Sequence, residues 1–295
     1  MKDKLQAVTH KECVVEKAHA KINLCLDAVS KRADGYHELR SVVVPLALHD
    51  RIVIEKADTM SYECNEPALP FHDVNTVVKA VRLMKEAFQL KDNYHISVTK
   101  QIPMEAGLGG GSSDAAAIMR GIAKLSKLSI NASVLEELGV SIGADVPCLV
   151  QNRCVFVSGI GEGLTFLTNR FAFPVLLVKP KAGASTKLVY ENLNIETCPH
   201  PDVQKCLSEW ENGNFKGVLA NCGNSLEGST FQLVSEVADL KQELLSYGFE
   251  FVAMSGSGTT VFAIGGMDVT KMHEIANRLK NRYPFVEVTS SYIPQ

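Results

Sequence analysis

Gly107, Gly109, Gly110 and Gly111 give the stretch IPMEAGLGGGSSDAAA four glycines in five positions, and Ser112, Ser113 and Asp114 follow at once. Backbone without Cβ atoms lets amide groups close around phosphate. A helix starting just after the glycines would add free N–H donors and a partial positive charge. Ser112 and Ser113 supply hydroxyls where an N-cap or a magnesium ligand would sit. A carboxylate at Asp114 suits the first helical turn but repels a bound nucleotide, a conflict that a solvent-facing side chain would relieve. The same residues also fit a tight structural connection in which glycine supplies positive φ and serine caps the helix.

Two nucleotide motifs are excluded. A Walker loop needs a lysine after its last glycine, and no lysine occurs between Gln101 and Met119. The dinucleotide fingerprint G-x-G-x-x-G fails because Ser112 or Asp114 occupies its third glycine position, depending on the starting glycine.

The elements that must hold the loop are legible around it. Tyr94, Ile96 and Val98 alternate as a strand running into the loop, and Ala115, Ile118, Met119, Ile122 and Leu125 recur at helical spacing after it. Residues 20–29, AKINLCLDAV, predict a strand with Lys21, Asn23 and Asp27 on a polar face. Asp34-Gly35 marks a turn, SVVVPLAL and RIVIEK continue the β-rich opening, and residues 75–88 have helical spacing. Asn131 or Ser133 can cap a helix through Val140 that leads into Ala144-Asp145-Val146-Pro147. After SGIGEG the pattern restarts, with strands at FAFPVLLVKP, FEFVAM, TTVFAI and FVEVTSSY and helices near 201–211, 231–246 and 268–281. This places a domain boundary near residue 167 and reads as α+β rather than a run of βαβ units.

The totals bound the function classes. A chain of 295 residues with 46% hydrophobic and 21% charged residues suits two globular domains. Its net charge of −3 leaves no polybasic footprint, so nucleic acid is excluded as a main partner. The opening residues mix both charge signs and read as no export signal, and no apolar run is long enough to span a membrane. The 8 cysteines form no C-x-x-C pair, which leaves zinc and redox motifs unsupported and points to a reducing cytoplasm.

The run P-x-x-x-G-L-G-G-G-S-S-D-A-A resembles the ATP-binding loop of the GHMP kinases, which phosphorylate galactose, homoserine, mevalonate and related small alcohols. AKINL at 20–24, GADVP at 143–147 and MSGSGTTVFA at 254–263 keep that family's order. With GYHEL at 35–39 the likeness covers nearly the whole chain. The resemblance implies a two-domain α+β architecture: a ribosomal-protein-S5-domain-2-like ATP-binding domain at 1–167 and a ferredoxin-like α/β substrate-binding domain at 168–295. ATP and Mg2+ are the implied cofactors, with a small alcohol as partner. Pro103, Gly107, Leu108, Gly109, Gly110, Gly111, Ser112 and Ser113 would form the cradle, with Asn75 and Lys100 as further nucleotide contacts.

By the same resemblance Asp145 takes the hydroxyl proton and Lys21 stabilises the charge that develops between alcohol and phosphate, while Asn23 orients the hydroxyl. Taken alone, a lysine on a strand's polar face is usually solvated, and an aspartate before a proline is commonly a turn residue. GYHEL and GASTKLVY at 183–190 resemble the branch whose alcohol carries a cytidine diphosphate. Tyr36, His37, Thr186 and Tyr190 would hold that end through stacking and hydrogen bonds, although without the resemblance core packing explains Tyr36, and a surface or hydrogen-bonded position His37, better. His19 replaces a common proline, Cys148-Leu149 stand where aromatics are usual, and two threonines follow MSGSG; these departures bear on substrate geometry. A kinase for another alcohol and a non-catalytic nucleotide sensor are the alternatives.

Overall fold

The polar face of the first strand is not turned to solvent. In the computed structural model, which describes residues 12–69 and 72–294, that strand is β1 (Cys13–Lys31), and Lys21, Asn23 and Asp27 on it are all buried. Residues 1–11, most of the opening read as free of an export signal, lie outside the described residues. SVVVPLAL and RIVIEK join into one long strand, β2 (His37–Ala57), antiparallel to β1. The ladder slips between His19 and Lys21 and again between Asn23 and Cys25. Such bulges re-aim side chains, and this pair brackets the segment that carries Lys21 and Asn23. Pro45, which cannot donate to a ladder, pairs with Lys21 at the first slip, where its missing N–H is tolerated.

The first sheet also contains β3 (Ser61–Cys64). After α1 (Thr76–Ala87) comes β4 (Asn93–Thr99), which pairs with β2 and feeds the glycine loop. The loop opens α2 (Gly110–Leu125), whose buried alanines let it lie close to β1. Beyond it come α3 (Ala132–Gly139), the short α4 (Val146–Leu149), β5 (Val155–Gly159) and β6 (Gly163–Phe166). The sheet order is β3-β4-β2-β5-β6, with β1 on β2.

The second sheet starts at β7 (Pro174–Lys179). Helices α5 (Thr186–Glu191), α6 (Val203–Glu211), α7 (Phe215–Asn221), α8 (Glu227–Leu233) and α9 (Ser235–Ser246) lead to β8 (Phe251–Met254) and β9 (Val261–Ile264), and α10 (Val269–Leu279) leads to β10 (Phe285–Ser290). The helix expected over 231–246 is thus two, broken where the Val234 backbone leaves the helical range at φ −141° and ψ 85°. The antiparallel order β10-β7-β9-β8 is that of a βαββαβ ferredoxin-like unit. One apolar cluster crosses between the halves. It joins Ile22 and Leu24 of β1 and Val44 of β2 to Val175 of β7, Trp210 of α6 and Phe262 of β9.

Candidate active site

Lys21 is 3% exposed, and its ammonium must find partners to be tolerated there. Nζ donates to Asn23 Oδ1 at 2.6 Å and stands 3.3 Å from Asp145 Oδ2. Asn23 is fixed in turn, donating through Nδ2 to Ser41 Oγ at 2.8 Å, and Ser41 Oγ donates to the carbonyl of Cys25 at 2.8 Å. Asp145 occupies the cap position of α4, yet its carboxylate accepts no bond from that helix. It faces Lys21 instead, and its side chain is 45% exposed. A buried cation and an accessible carboxylate therefore meet at the wall of a cleft.

The glycine loop closes the same wall. Gly109, at φ +70°, is the left-handed cap of α2, and the helix runs from Gly110 onward. The first bond within the helix is Ser113 N–H to Gly109 C=O, so the preceding amides are left without helical acceptors. The Lys21 N–H donates to the Leu108 carbonyl at 3.0 Å, tying β1 to the loop, while the Leu108 side chain is buried. A Cβ on Gly107 would lie 2.0 Å from the Ser255 carbonyl oxygen. Ser255 Oγ donates to Gly107 C=O at 2.9 Å. Asn224 holds this SGSG turn by donating to the carbonyls of Met254 and Gly256, both at 2.8 Å.

Three expectations for the loop are corrected. Neither serine caps the helix, because the cap falls at Gly109. Ser113 is fully buried and donates to the His19 carbonyl at 2.7 Å, so its hydroxyl is turned away from the cleft, whereas Ser112 lines it. Asp114 is only 3% exposed and points inward. Lys100 Nζ donates to it at 2.6 Å and also to Asp50, a fully buried carboxylate that accepts the N–H groups of Gln101 and Ile102. Burial opposes the Lys100 charge, but Asp114 and Asp50 outweigh it and hold the ammonium charged. Lys100, expected at the nucleotide, thus sits between two carboxylates as a brace under the loop. With Pro103 it borders a smaller cavity of about 410 Å³ rather than the main cleft.

Asn75 caps α1, accepting the Val77 N–H at 2.9 Å, and the neighbouring Thr76 Oγ1 donates to the Gly111 carbonyl at 2.8 Å. The N-termini of α1 and α2 therefore abut. At the far end of the cleft, Tyr36 stands 62% exposed on the turn after Asp34, while His37 is buried with its ring centroid 5.2 Å from that of Tyr190. Burial and Lys31 lower the His37 pKa, and burial raises that of Tyr190, so both rings are neutral. Thr186 Oγ1 lies 2.8 Å from Ser257 Oγ. One cleft of about 1270 Å³ joins Lys21, Asp145, Ser112, His37, Tyr190 and Thr186. Ser41, Asp50, Asn224 and Ser255 were missed in the sequence. Only Ser255 had a signal there, its place in MSGSG.

Two family models match the chain: GHMP kinases N terminal domain over residues 75–159 and GHMP kinases C terminal over residues 207–284. The chain belongs to the GHMP kinases, a family of ATP-dependent small-molecule kinases. Among its relatives, the 4-diphosphocytidyl-2-C-methyl-D-erythritol kinase of Acetivibrio thermocellus is 40% identical over 86% of this chain and 90% of its own. That of Bacillus cereus is 40% identical over 90% of this chain and 92% of its own. A solved structure of 4-(cytidine 5'-diphospho)-2C-methyl-D-erythritol kinase superposes with a TM-score of 0.80 at 30% identity, covering 95% of this chain and 100% of the other. Homoserine kinase from Cytophaga hutchinsonii, at 16% identity and a TM-score of 0.69 over 97% and 96% of the two chains, shares the fold.

Proposed function

We propose that the chain transfers the γ-phosphoryl group of ATP to the 2-hydroxyl of 4-diphosphocytidyl-2-C-methyl-D-erythritol, a step toward isoprenoid precursors by the non-mevalonate route. The observation that carries this reading is the pairing of buried Lys21 with exposed Asp145 beside the glycine loop, in one cleft with His37 and Tyr190. Phosphoryl transfer passes through a loose transition state in which positioning and charge stabilisation dominate. The amides at the start of α2 would hold the phosphates. Asp145 would orient the alcohol and accept its proton as the oxygen bonds phosphorus and the bond to ADP breaks. Lys21, kept in place by Asn23, would stabilise the charge on the transferring group.

Ser112 is an oxygen donor of the kind Mg2+ takes, and it lines the cleft; Ser113 is spent on His19. When bound, the ion would neutralise phosphate charge. Residues 1–167 would carry the cradle and the catalytic pair, with Asn75, Pro103 and Lys100 supporting the nucleotide side. Residues 168–295 would close the substrate end through Thr186 and Tyr190, with Tyr36 and His37 facing them for the cytidine. Eight unpaired cysteines fit a reducing cytoplasm, and among the described residues no helix is long and apolar enough to cross a membrane.

The test is ATP-dependent ADP release with diphosphocytidyl methylerythritol, mevalonate, homoserine and galactose offered separately. Selective turnover of the first is expected. Selective turnover of another alcohol overturns the substrate, and nucleotide binding without any turnover favours a sensor.

A further inference from the structure

Cys25, Cys206 and Cys222 follow no metal-binding spacing, yet the fold gathers their sulfurs within 4.8 Å of one another. Each comes from a different element: β1, α6 and the residue capping α7. Cys206 Sγ lies 3.5 Å from Cys222 Sγ, and Cys25 Sγ lies 3.9 Å from the Asn221 carbonyl oxygen. Three thiolates each about 2.3 Å from one ion stand about 4 Å apart in a trigonal plane, so the cluster needs only small adjustments to close on one. A disulfide would use two of the three and draw Cys206 and Cys222 together by about 1.5 Å. Cys25 and Cys206 are fully buried, but Cys222 is only partly so, which gives an ion a way in.

We propose that Cys25, Cys206 and Cys222 bind one soft, thiophilic cation, Cu+ or Zn2+, through their three sulfurs. Thiolate donors select this class of ion, and each thiol that coordinates releases its proton to solvent. The Asn221 carbonyl offers an oxygen donor to a four-coordinate ion. Occupancy ties α6 and α7 of the second half to the strand that carries Lys21 and Asn23. The link continues to the catalytic pair, because the Cys25 carbonyl accepts from Ser41, which itself accepts from Asn23. The site is thus a staple between the halves, set behind the cleft.

The full chain, with every thiol reduced, is titrated with Cd2+ as an absorbing probe, and with Zn2+ and Cu+ in separate arms, against a chromophoric chelator. One equivalent per chain is expected, with a thiolate-to-metal charge-transfer band and a raised Tm. The Zn2+ and Cu+ arms rank the two ions. Cys25→Ala, Cys206→Ala and Cys222→Ala should each weaken binding by more than about 100-fold, since losing even a group that hydrogen-bonds a ligand costs about 10–100-fold. Cys13→Ala, at an exposed cysteine outside the cluster, should leave binding unchanged. A wild-type chain that holds no ion against the chelator overturns the proposal whatever the variants do. So does retention of the ion by the alanine variants.

Discussion

At the residue scale, the decisive feature is an ammonium removed from water and held by one amide and one exposed carboxylate. Asp145 is bound to no backbone donor of its own helix, so replacing it changes charge at the reacting oxygen more than it changes the fold. Asp145→Asn is expected to lower kcat by about 10² to 10⁴ with nucleotide affinity nearly intact. Wild-type turnover in single-substrate kinetics would remove it from the mechanism. The neutral His37 ring offers one donor and one acceptor beside Tyr190, a combination suited to a nucleobase edge and face. His37→Ala should raise the KM for the cytidylyl substrate by about tenfold, the equivalent of about 1.4 kcal/mol, and leave that for ATP unchanged. Equal rises in both would count against a cytidine role.

At the element scale, the glycine loop depends on its underside as much as on its bare backbone. Gly107 and Gly109 both have positive φ, and a Cβ on Gly109 would stand 2.9 Å from Lys21 Cγ. Gly111 lacks both restrictions, its nearest contact being Thr76 Oγ1 at 3.4 Å. Alanine at Gly107 or Gly109 should therefore lower stability by about 1–3 kcal/mol, and alanine at Gly111 by much less; similar losses of Tm at all three would refute the distinction. Below the loop, burial pushes the Asp114 carboxyl from 3.8 up to about 7, against the pull of Lys100. A carboxyl with a raised folded pKa holds its proton more tightly when folded. Its contribution is thus fullest below about pH 4 and is lost as pH rises to about 7. Across that window the wild-type Tm should fall relative to that of Asp114→Asn, and parallel curves would show that Asp114 does not titrate there. The local pattern made β4 and α1 legible in sequence because apolar period and burial coincide there, and it showed β1 and α2 as elements although burial extends to their polar residues. Asp50, Ser41 and the three gathered thiols were not legible, since each acts on residues far along the chain and no local spacing encodes that. Asp114 misled for the same reason: its partner Lys100 lies on the other side of the loop.

At the scale of the whole molecule, each sheet has a buried cluster of its own and a third cluster is shared between them. The cluster that joins β1 and β2 to β7, α6 and β9 places the single tryptophan, Trp210, at 1% exposure among residues of both halves. Its Nε1 donates to the Thr168 carbonyl at 2.9 Å, in the segment that links the sheets. Separating the halves would expose Ile22, Leu24, Val44 and Phe262 to water at about 25 cal/mol per Å² of apolar surface. The halves should therefore unfold together. Trp210 fluorescence, which reports the shared cluster, and far-ultraviolet circular dichroism, which reports both sheets, should give one coincident urea midpoint. Two separated midpoints, with the tryptophan signal following only one, would mean that each half keeps its own core and that the cleft lies between bodies free to part.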